Sequence, residues 1–268
     1  MAEPPPDYAE ATASRALRPV EGRDDLFDVE PYLEGSHGAL RGIPHLAARR
    51  NVVGLLNDEL VALAHVGSPP FSVAIGLQTD PYPFAEATAQ YTRGLLHCLA
   101  GHHANTQIVT RLPLIRRDLD LLTEIGHSGS LLVHILIPSL DATVTRVADP
   151  LGPPPRARLQ LVEELANLGI PVAVATVTEA RTPGTSERDR QALAQAAAHH
   201  GALLTWTHTR LVPPPFPPDS LGSSLPLSRR GEAGHGARIV PIQRQTMARR
   251  RTMPGAGRAL PTQLDLLT

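Results

Sequence analysis

One cysteine, Cys98, stands in a chain of 268 residues, and there is no lysine at all. A single thiol excludes an intrachain disulfide, and it cannot by itself supply the set of thiolates that an iron–sulfur cluster needs. Aromatic residues make up 3% of the chain, with Trp206 the sole tryptophan. No aromatic residues interleave with the basic run Arg249, Arg250 and Arg251, which weakens the case for direct nucleic-acid binding. The apolar runs are short. Leu131 to Ile137, with His134 inside it, falls far short of the roughly 20 residues of a membrane helix. The acidic, proline-broken start MAEPPPDYAE lacks the basic and apolar parts of a secretory signal, so the expected location is the cytoplasm.

The basic residues are all arginine, which together with abundant Ala, Gly and Pro reflects GC-rich coding rather than selection for phosphate binding. Their distribution is uneven. Residues 209–268 hold nine arginines against Asp219, Glu232 and Asp265, in a stretch rich in proline, glycine and serine. That composition buries too little apolar surface to offset the entropy of ordering, so 209–268 is expected to be a flexible tail. Residues 1–29 carry seven acidic groups and are expected to stay out of the core. The folded part is then 30–208.

Within 30–208, Phe71–Leu77, Thr106–Thr110, Leu131–Ile137, Ile170–Val177 and Ala202–Thr207 read as strands, each beside a helical pattern. Near-continuous apolar strands alternating with amphipathic helices imply an α/β fold with a parallel sheet. About five βα units fall short of a closed barrel, so a partial (β/α) barrel with outer helices is expected. A flavodoxin-like sheet has the same periodicity. Leu159, Val162, Leu165 and Leu168 would face the sheet from the helix Pro155–Leu168. Gly126, Gly169 and Gly201 mark helix ends, and Ser186 with Asp189 suggests a capping box for the helix Glu187–His200.

Several motifs lie in one order along this region. Glu30 to Gly42, EPYLEGSHGALRG, resembles N-P-Y-R-G-C-x-H-G-C-x-Y-C; Gly76 to Pro83, GLQTDPYP, resembles G-T-N-T-D-P-Y-Q. Thr110 to Leu122 is similar to T-K-S-x-x-x-x-R-D-L-x-L-L, with Arg111 at the lysine and Arg117, Asp118 and Leu119 in place. Asp149 to Leu159, DPLGPPPRARL, is similar to E-P-R-x-P-S-P-x-x-R-L. Together they resemble the radical S-adenosylmethionine (SAM) proteins grouped with spore photoproduct lyase as DNA repair photolyases.

That resemblance implies a partial barrel holding a [4Fe-4S] cluster on three cysteines, with SAM across the strand ends, and cofactor contacts at Thr79, Asp80 and Tyr82. In this chain the three cysteine positions are Gly35, Ala39 and Gly42, and the family's arginines after N-P-Y and E-P are Leu33 and Leu151. Glycine and alanine offer no side-chain atom to iron. The expectation is a degenerate, non-catalytic member that needs no cofactor, with SAM binding without a cluster as one variant and a cluster supplied by a cysteine-bearing paralogue as another. A different enzyme class would arise if Asp80, His134, Glu179 and His208, all in or beyond strands, converged on a metal. The HCLAGHH cluster, His97, Cys98, His102 and His103, reads instead as ordinary helix-end residues.

Gln263, Leu264, Asp265, Leu266 and Leu267 resemble the Q-L-[SD]-L-F motif by which bacterial repair and replication proteins bind the sliding clamp. The motif's logic is a glutamine amide in a polar pocket and leucines in an apolar one. Leu267 stands at the usual phenylalanine. The implied partner is the clamp.

Overall fold

The computed structural model describes residues 9–35, 45–66, 71–128, 130–177 and 187–208. The strands are β1 (Ala9–Ala11), β2 (Arg18–Val20), β3 (Arg23–Val29), β4 (Tyr32–Gly35), β5 (His45–Arg49), β6 (Ser72–Ile75), β7 (Asn105–Thr110), β8 (Leu131–Leu136), β9 (Val172–Val177) and β10 (Leu204–His208). The helices are α1 (Val52–His65), α2 (Glu86–Ala89), α3 (Tyr91–Gly101), α4 (Leu119–Ser128), α5 (Ala142–Ala148), α6 (Pro155–Asn167) and α7 (Glu187–His199). A 3₁₀ turn, Pro113–Asp118, leads into α4.

The main sheet has the order β10-β9-β8-β7-β6-β3-β2. Strands β3 and β6 to β10 run parallel, and β2 closes one edge antiparallel to β3. Each new parallel strand joins beside its predecessor after a helical crossover, which is the winding of a partial (β/α) barrel. The expected α/β architecture is therefore present, with one parallel strand more than the sequence pattern revealed.

The two faces of the sheet differ. Val29, Val73, Ile75, Ile108, Val133, Ile135, Val172 and Val174 face the helices and share a cluster with Leu56, Leu60, Leu95, Leu96, Leu99, Leu122 and Leu165. Fully burying a side chain such as Leu95 stabilises by roughly 1.5–3 kcal/mol. The alternating residues point to the opposite face, where Leu132, Ala173 and Ala175 form a second, small cluster flanked by Leu136. That inner face also carries buried polar side chains, Asp28, Gln107 and His134.

On α6 the buried positions are Arg158, Leu161, Val162 and Leu165, while Leu168 is 54% exposed. A strict spacing of three drifts around a helix of 3.6 residues per turn, so the expected Leu159–Leu168 stripe gives way to an i, i+3, i+4, i+7 face. Gly169 at φ 77° and Gly201 at φ 85° do terminate α6 and α7. The Gly169 N–H bonds Ala166 O and the Ile170 N–H bonds Leu165 O, the paired bonds of a left-handed helix end. Gly126 lies inside α4 instead, because that helix runs on to Ser128.

Keeping residues 1–29 out of the core needs correcting over 9–29. β2 and β3 belong to the main sheet, and Ala16, Leu17, Leu26 and Val29 are buried. The arm before β2 is held by side chains of the following segments: Asn51 exchanges two 2.8 Å bonds with the Ala13 backbone, and Glu59 accepts from the N–H groups of Ala16 (2.8 Å) and Leu17 (2.7 Å). A second sheet, β1-β5-β4, joins a strand that precedes β3 to two that follow it. In it β4 and β5 pair antiparallel, Tyr32 opposite Ala48 and Gly35 opposite His45. Among the described residues, no helix is long and apolar enough to cross a membrane.

Candidate functional site

In open parallel sheets, functional groups gather beyond the carboxyl ends of the strands. Here Glu30 follows β3, Gln78, Thr79 and Asp80 follow β6, and Arg111 follows β7. The turn after β6 is forced by Gly76 at φ 92°, where a Cβ would sit 2.4 Å from Val109 O and 2.6 Å from Pro81 Cδ. Only glycine tolerates both that backbone region and that approach.

Asp80 fastens this turn to β7. Its Oδ1 accepts from the Tyr82 N–H (3.0 Å) and the Thr110 hydroxyl (2.8 Å), and its Oδ2 from the Arg111 N–H (2.9 Å) and Arg111 Nη1 (3.4 Å). Burial raises the pKa of the Asp80 carboxyl despite the opposing Arg111 charge and these bonds. Arg111, 30% exposed along its side chain, also places Nε 2.9 Å from Asp149 Oδ2. Asp149 meets Arg158 Nη2 at 2.5 Å, and Arg158 donates to Pro153 O (2.7 Å) and Leu136 O (2.8 Å). The DPLGPPPRARL segment is thereby pinned beside the end of β8, with Leu151 left 78% exposed.

Glu30 fastens the other side. Its two carboxyl oxygens accept from the N–H groups of Gln78 (2.7 Å) and Thr79 (3.2 Å). Asp28, two residues earlier, is buried with it and receives the Gln78 amide at 3.4 Å. Desolvation, together with the neighbouring Asp28 charge, pushes Glu30 up to about 9, and desolvation pushes Asp28 to about 6. Near neutral pH the pair therefore carries one proton between its two carboxyl groups.

A third cluster, centred on Glu86, ties two of the motifs together. Tyr32 donates its hydroxyl to Glu86, which is fully buried and also accepts from the N–H groups of Thr92 (3.0 Å) and Arg93 (3.2 Å). Arg117 reaches Glu86 at 2.6 Å and grips Asp118 with two bonds of 2.9 Å. Arg93 closes the chain to Asp118 (2.8 Å) and Asp120 (2.6 Å). These side chains hold β4, α2, α3 and α4 in register around the strand ends.

Of the residues singled out from sequence, Thr79 is 7% exposed with its N–H on Glu30, Asp80 is committed to the four bonds above, and Tyr82 is 1% exposed. The Tyr82 hydroxyl has no hydrogen-bond partner among the described residues, and burial holds its pKa well above the ordinary range. Gly35 lies in β4 opposite His45. Ala39, Gly42, Glu179, Ser186 and Gln263 to Leu267 fall outside the described residues, and so does the side chain of His208. His134 is buried, its Nε2 is 2.9 Å from Gln107 Oε1, and desolvation lowers its pKa to about 3. Among the described residues no three His, Cys, Asp or Glu side chains are grouped to hold a metal. In the HCLAGHH segment, His97 points out to solvent and His102 Nε2 lies 3.0 Å from Asn57 Oδ1.

Asp28, Glu30 and Glu86 were not singled out from sequence. The Asp-Val-Glu run at a strand end was a readable signal for the first two; Glu86 carried none, because its importance comes from Arg117, 31 residues away.

No family model matches the chain. An uncharacterized protein of Mycobacterium tuberculosis is 33% identical over 129 residues, 47% of this chain and 38% of that protein, and an uncharacterized protein of Acidianus two-tailed virus is 33% identical over 67 residues. The match thus spans well under half the length of the curated relatives. SuiB of Streptococcus suis aligns with 56% of this chain and 32% of its own at 16% identity, TM-score 0.44. Spore photoproduct lyase aligns with 65% of this chain and 52% of its own at 13% identity, TM-score 0.50. The fold is radical SAM-like. In this radical SAM-like fold the strand-end turn after β6 and the loop before α6 are latched by their own side chains.

Proposed function

We propose that this chain is a radical SAM-like protein of the DNA repair photolyase group that holds no cluster of its own and acts through interaction rather than catalysis. The observation that carries this reading is the donor set. Gly35, Ala39 and Gly42 have no side-chain atom for iron, so the residues present do not fit a [4Fe-4S] cluster. Cys98 does not replace them. It lies in the second half of α3, a helix that runs back from the end of β6 to the start of β7, so it sits toward the opposite end of the sheet from Glu30 and Asp80. Burial also pushes its thiol up to about 11, away from the thiolate form that binds metals.

The strand-end groups fit the same reading. Asp80, Glu30, Asp149 and Arg158 spend their hydrogen bonds on the protein itself, a pattern that maintains a scaffold. SAM bound without a cluster would lie against the turn that carries Thr79, Asp80 and Tyr82, whose side chains are largely buried, with Arg111 the partly exposed cation beside it. Anaerobic reconstitution with iron and sulfide tests the reading. The expected product is colourless, with no stoichiometric iron and no deoxyadenosine formed from SAM; a brown protein with about four irons per chain would overturn it.

Interaction is assigned to the tail. Gln263 to Leu267 has the donor and apolar residues of a clamp-binding motif at the end of a proline- and arginine-rich stretch, and the proposed partner is the bacterial sliding clamp. Full-length chain is expected to retain purified clamp in a pull-down, and a variant ending at Thr262 is expected to lose it. Equal retention by the two would reject the clamp assignment while leaving the cluster result untouched.

A further inference from the structure

Strands β6 to β9 turn Ala74, Gln107, Val109, Leu132, Ala173 and Ala175 to the inner face of the main sheet, and each is 0–1% exposed. Such closure needs a cover. Alanines at three of these positions are too short to bury one another across a sheet that does not close into a barrel. The helices pack on the other face, where Leu56, Leu96, Leu122 and Leu165 join the larger cluster. Among the described residues, the apolar cluster on the inner face draws only on β8 and β9. The cover must also meet a donor. Gln107 Oε1 lies 2.9 Å from His134 Nε2, and the amide Nε2 of Gln107 has no hydrogen-bond partner among the described residues. The occupant this face requires is apolar and brings a free acceptor.

Residues 211–218, LVPPPFPP, answer both requirements. Leu211, Val212 and Phe216 supply apolar side chains. The other five residues are prolines, which carry a carbonyl but no N–H, so the segment brings acceptors and few donors that an apolar face would strand. It is also the first stretch of chain after β10, the edge strand beside β9. From β10 to β6 is four strand spacings, about 19 Å. Eight residues in a polyproline II conformation reach about 25 Å, enough to cross them. Two other stretches fit less well: residues 178–186, TEARTPGTS, are polar, and residues 36–44 are tied at both ends to the paired strands β4 and β5.

We propose that residues 211–218 dock across the inner face of the main sheet as an extended strap, with the apolar side chains against Leu132, Ala173 and Ala175 and a proline carbonyl accepting from Gln107 Nε2. The chain thereby plugs the interior of its own partial barrel. The strap is distinct from Gln263 to Leu267 further along the tail, and it stands or falls separately from the cluster and clamp results.

A buried thiol reports on the cover. In the full chain carrying Cys98→Ala, Ala175→Cys places the only thiol on the inner face, and its reaction with a maleimide is expected to be about a hundredfold slower than in the urea-unfolded chain. Adding Leu211→Ser and Phe216→Ser is expected to speed the native reaction about tenfold or more while thermal unfolding stays cooperative. Leu264→Ser with Leu266→Ser is the control and is expected to leave the rate unchanged. The same Leu211→Ser and Phe216→Ser pair in the otherwise unaltered chain is expected to raise binding of an anilinonaphthalene dye, a readout that does not depend on the added cysteine. Fast labelling before the strap is altered would overturn the proposal by showing the face open. Slow labelling that the serine pair leaves unchanged, with no gain in dye binding, would overturn it by assigning the cover to another segment, or to a second copy if protection falls on dilution.

Discussion

Replacing Arg117 by methionine is expected to destabilise the chain by about 3–5 kcal/mol, a large part of the 5–15 kcal/mol that holds a typical domain together. Arg117 lies between two carboxylates, Glu86 and Asp118, whose side chains are 0% exposed. Methionine preserves much of the volume and removes the charge. Glu86 would keep the Tyr32 hydroxyl and two backbone N–H groups, and Asp118 would keep Arg93, but two buried negative charges would face a single cation. The cost is that of an uncompensated buried charge, much larger than the net worth of the pair. Arg116→Met, one residue away, is the control. Arg116 and Glu164 pair at 2.5 Å with side chains 40% and 51% exposed, and solvent screening limits such a pair to about 1 kcal/mol or less. Urea unfolding of the two variants should separate by several kcal/mol; similar midpoints would show that Glu86 and Asp118 do not depend on Arg117.

The contrast between neighbouring arginines also shows how much of this molecule was legible in its sequence. β6 to β9 announced themselves because they are apolar runs buried on both faces, and the observed limits of β6 to β10 lie within two residues of the expected ones at either end. β3, RDDLFDV, did not, because it is an outer parallel strand in which Leu26, Phe27 and Val29 are mixed with Asp24, Asp25 and Asp28. Asp28 belongs to the polar inner face and Asp25 to the surface, where Arg23 binds it at 2.7 Å. A period-two signal cannot separate such a strand from an acidic loop. The short strands β1, β4 and β5 depend on pairing with one another and on the straps from Asn51, Glu59 and Arg49. At the strand ends the sequence pointed to Asp80 and its turn, because Asp-Pro after a strand is a local signal. Glu86 and the Asp28–Glu30 pair depend on partners brought close by the fold, which no local pattern encodes.

Glu30 gives the chain an unusual response to alkali. Its folded-state pKa, pushed up to about 9, lies above the ordinary 4.5, so between those limits the native chain binds a proton that the unfolded chain has released. Stability changes with pH as 2.303RT times the protons bound by the unfolded state minus those bound by the native state. For Glu30 the difference is negative, and stability falls as pH rises. His134 acts in the opposite sense below pH 6.5: the unfolded chain protonates the imidazole and the folded chain, at about 3, does not. Asp28, pushed to about 6, acts in the same sense as Glu30 and is largely ionised by about pH 7. From about pH 7 to 9 Glu30 therefore stands alone among these buried groups, with a slope of up to about 1.4 kcal/mol per pH unit and a loss of up to about 2 kcal/mol across the window. Glu30→Gln keeps an oxygen for the Gln78 N–H and an amide that donates to Asp28 at every pH. Its stability is expected to be lower than wild type near pH 6.5, where Thr79 loses its acceptor, and to change little up to pH 9, so the two curves converge or cross. Parallel curves from chemical denaturation at half-unit pH steps would place the proton elsewhere and remove Glu30 as the group that locks the strand-end turn.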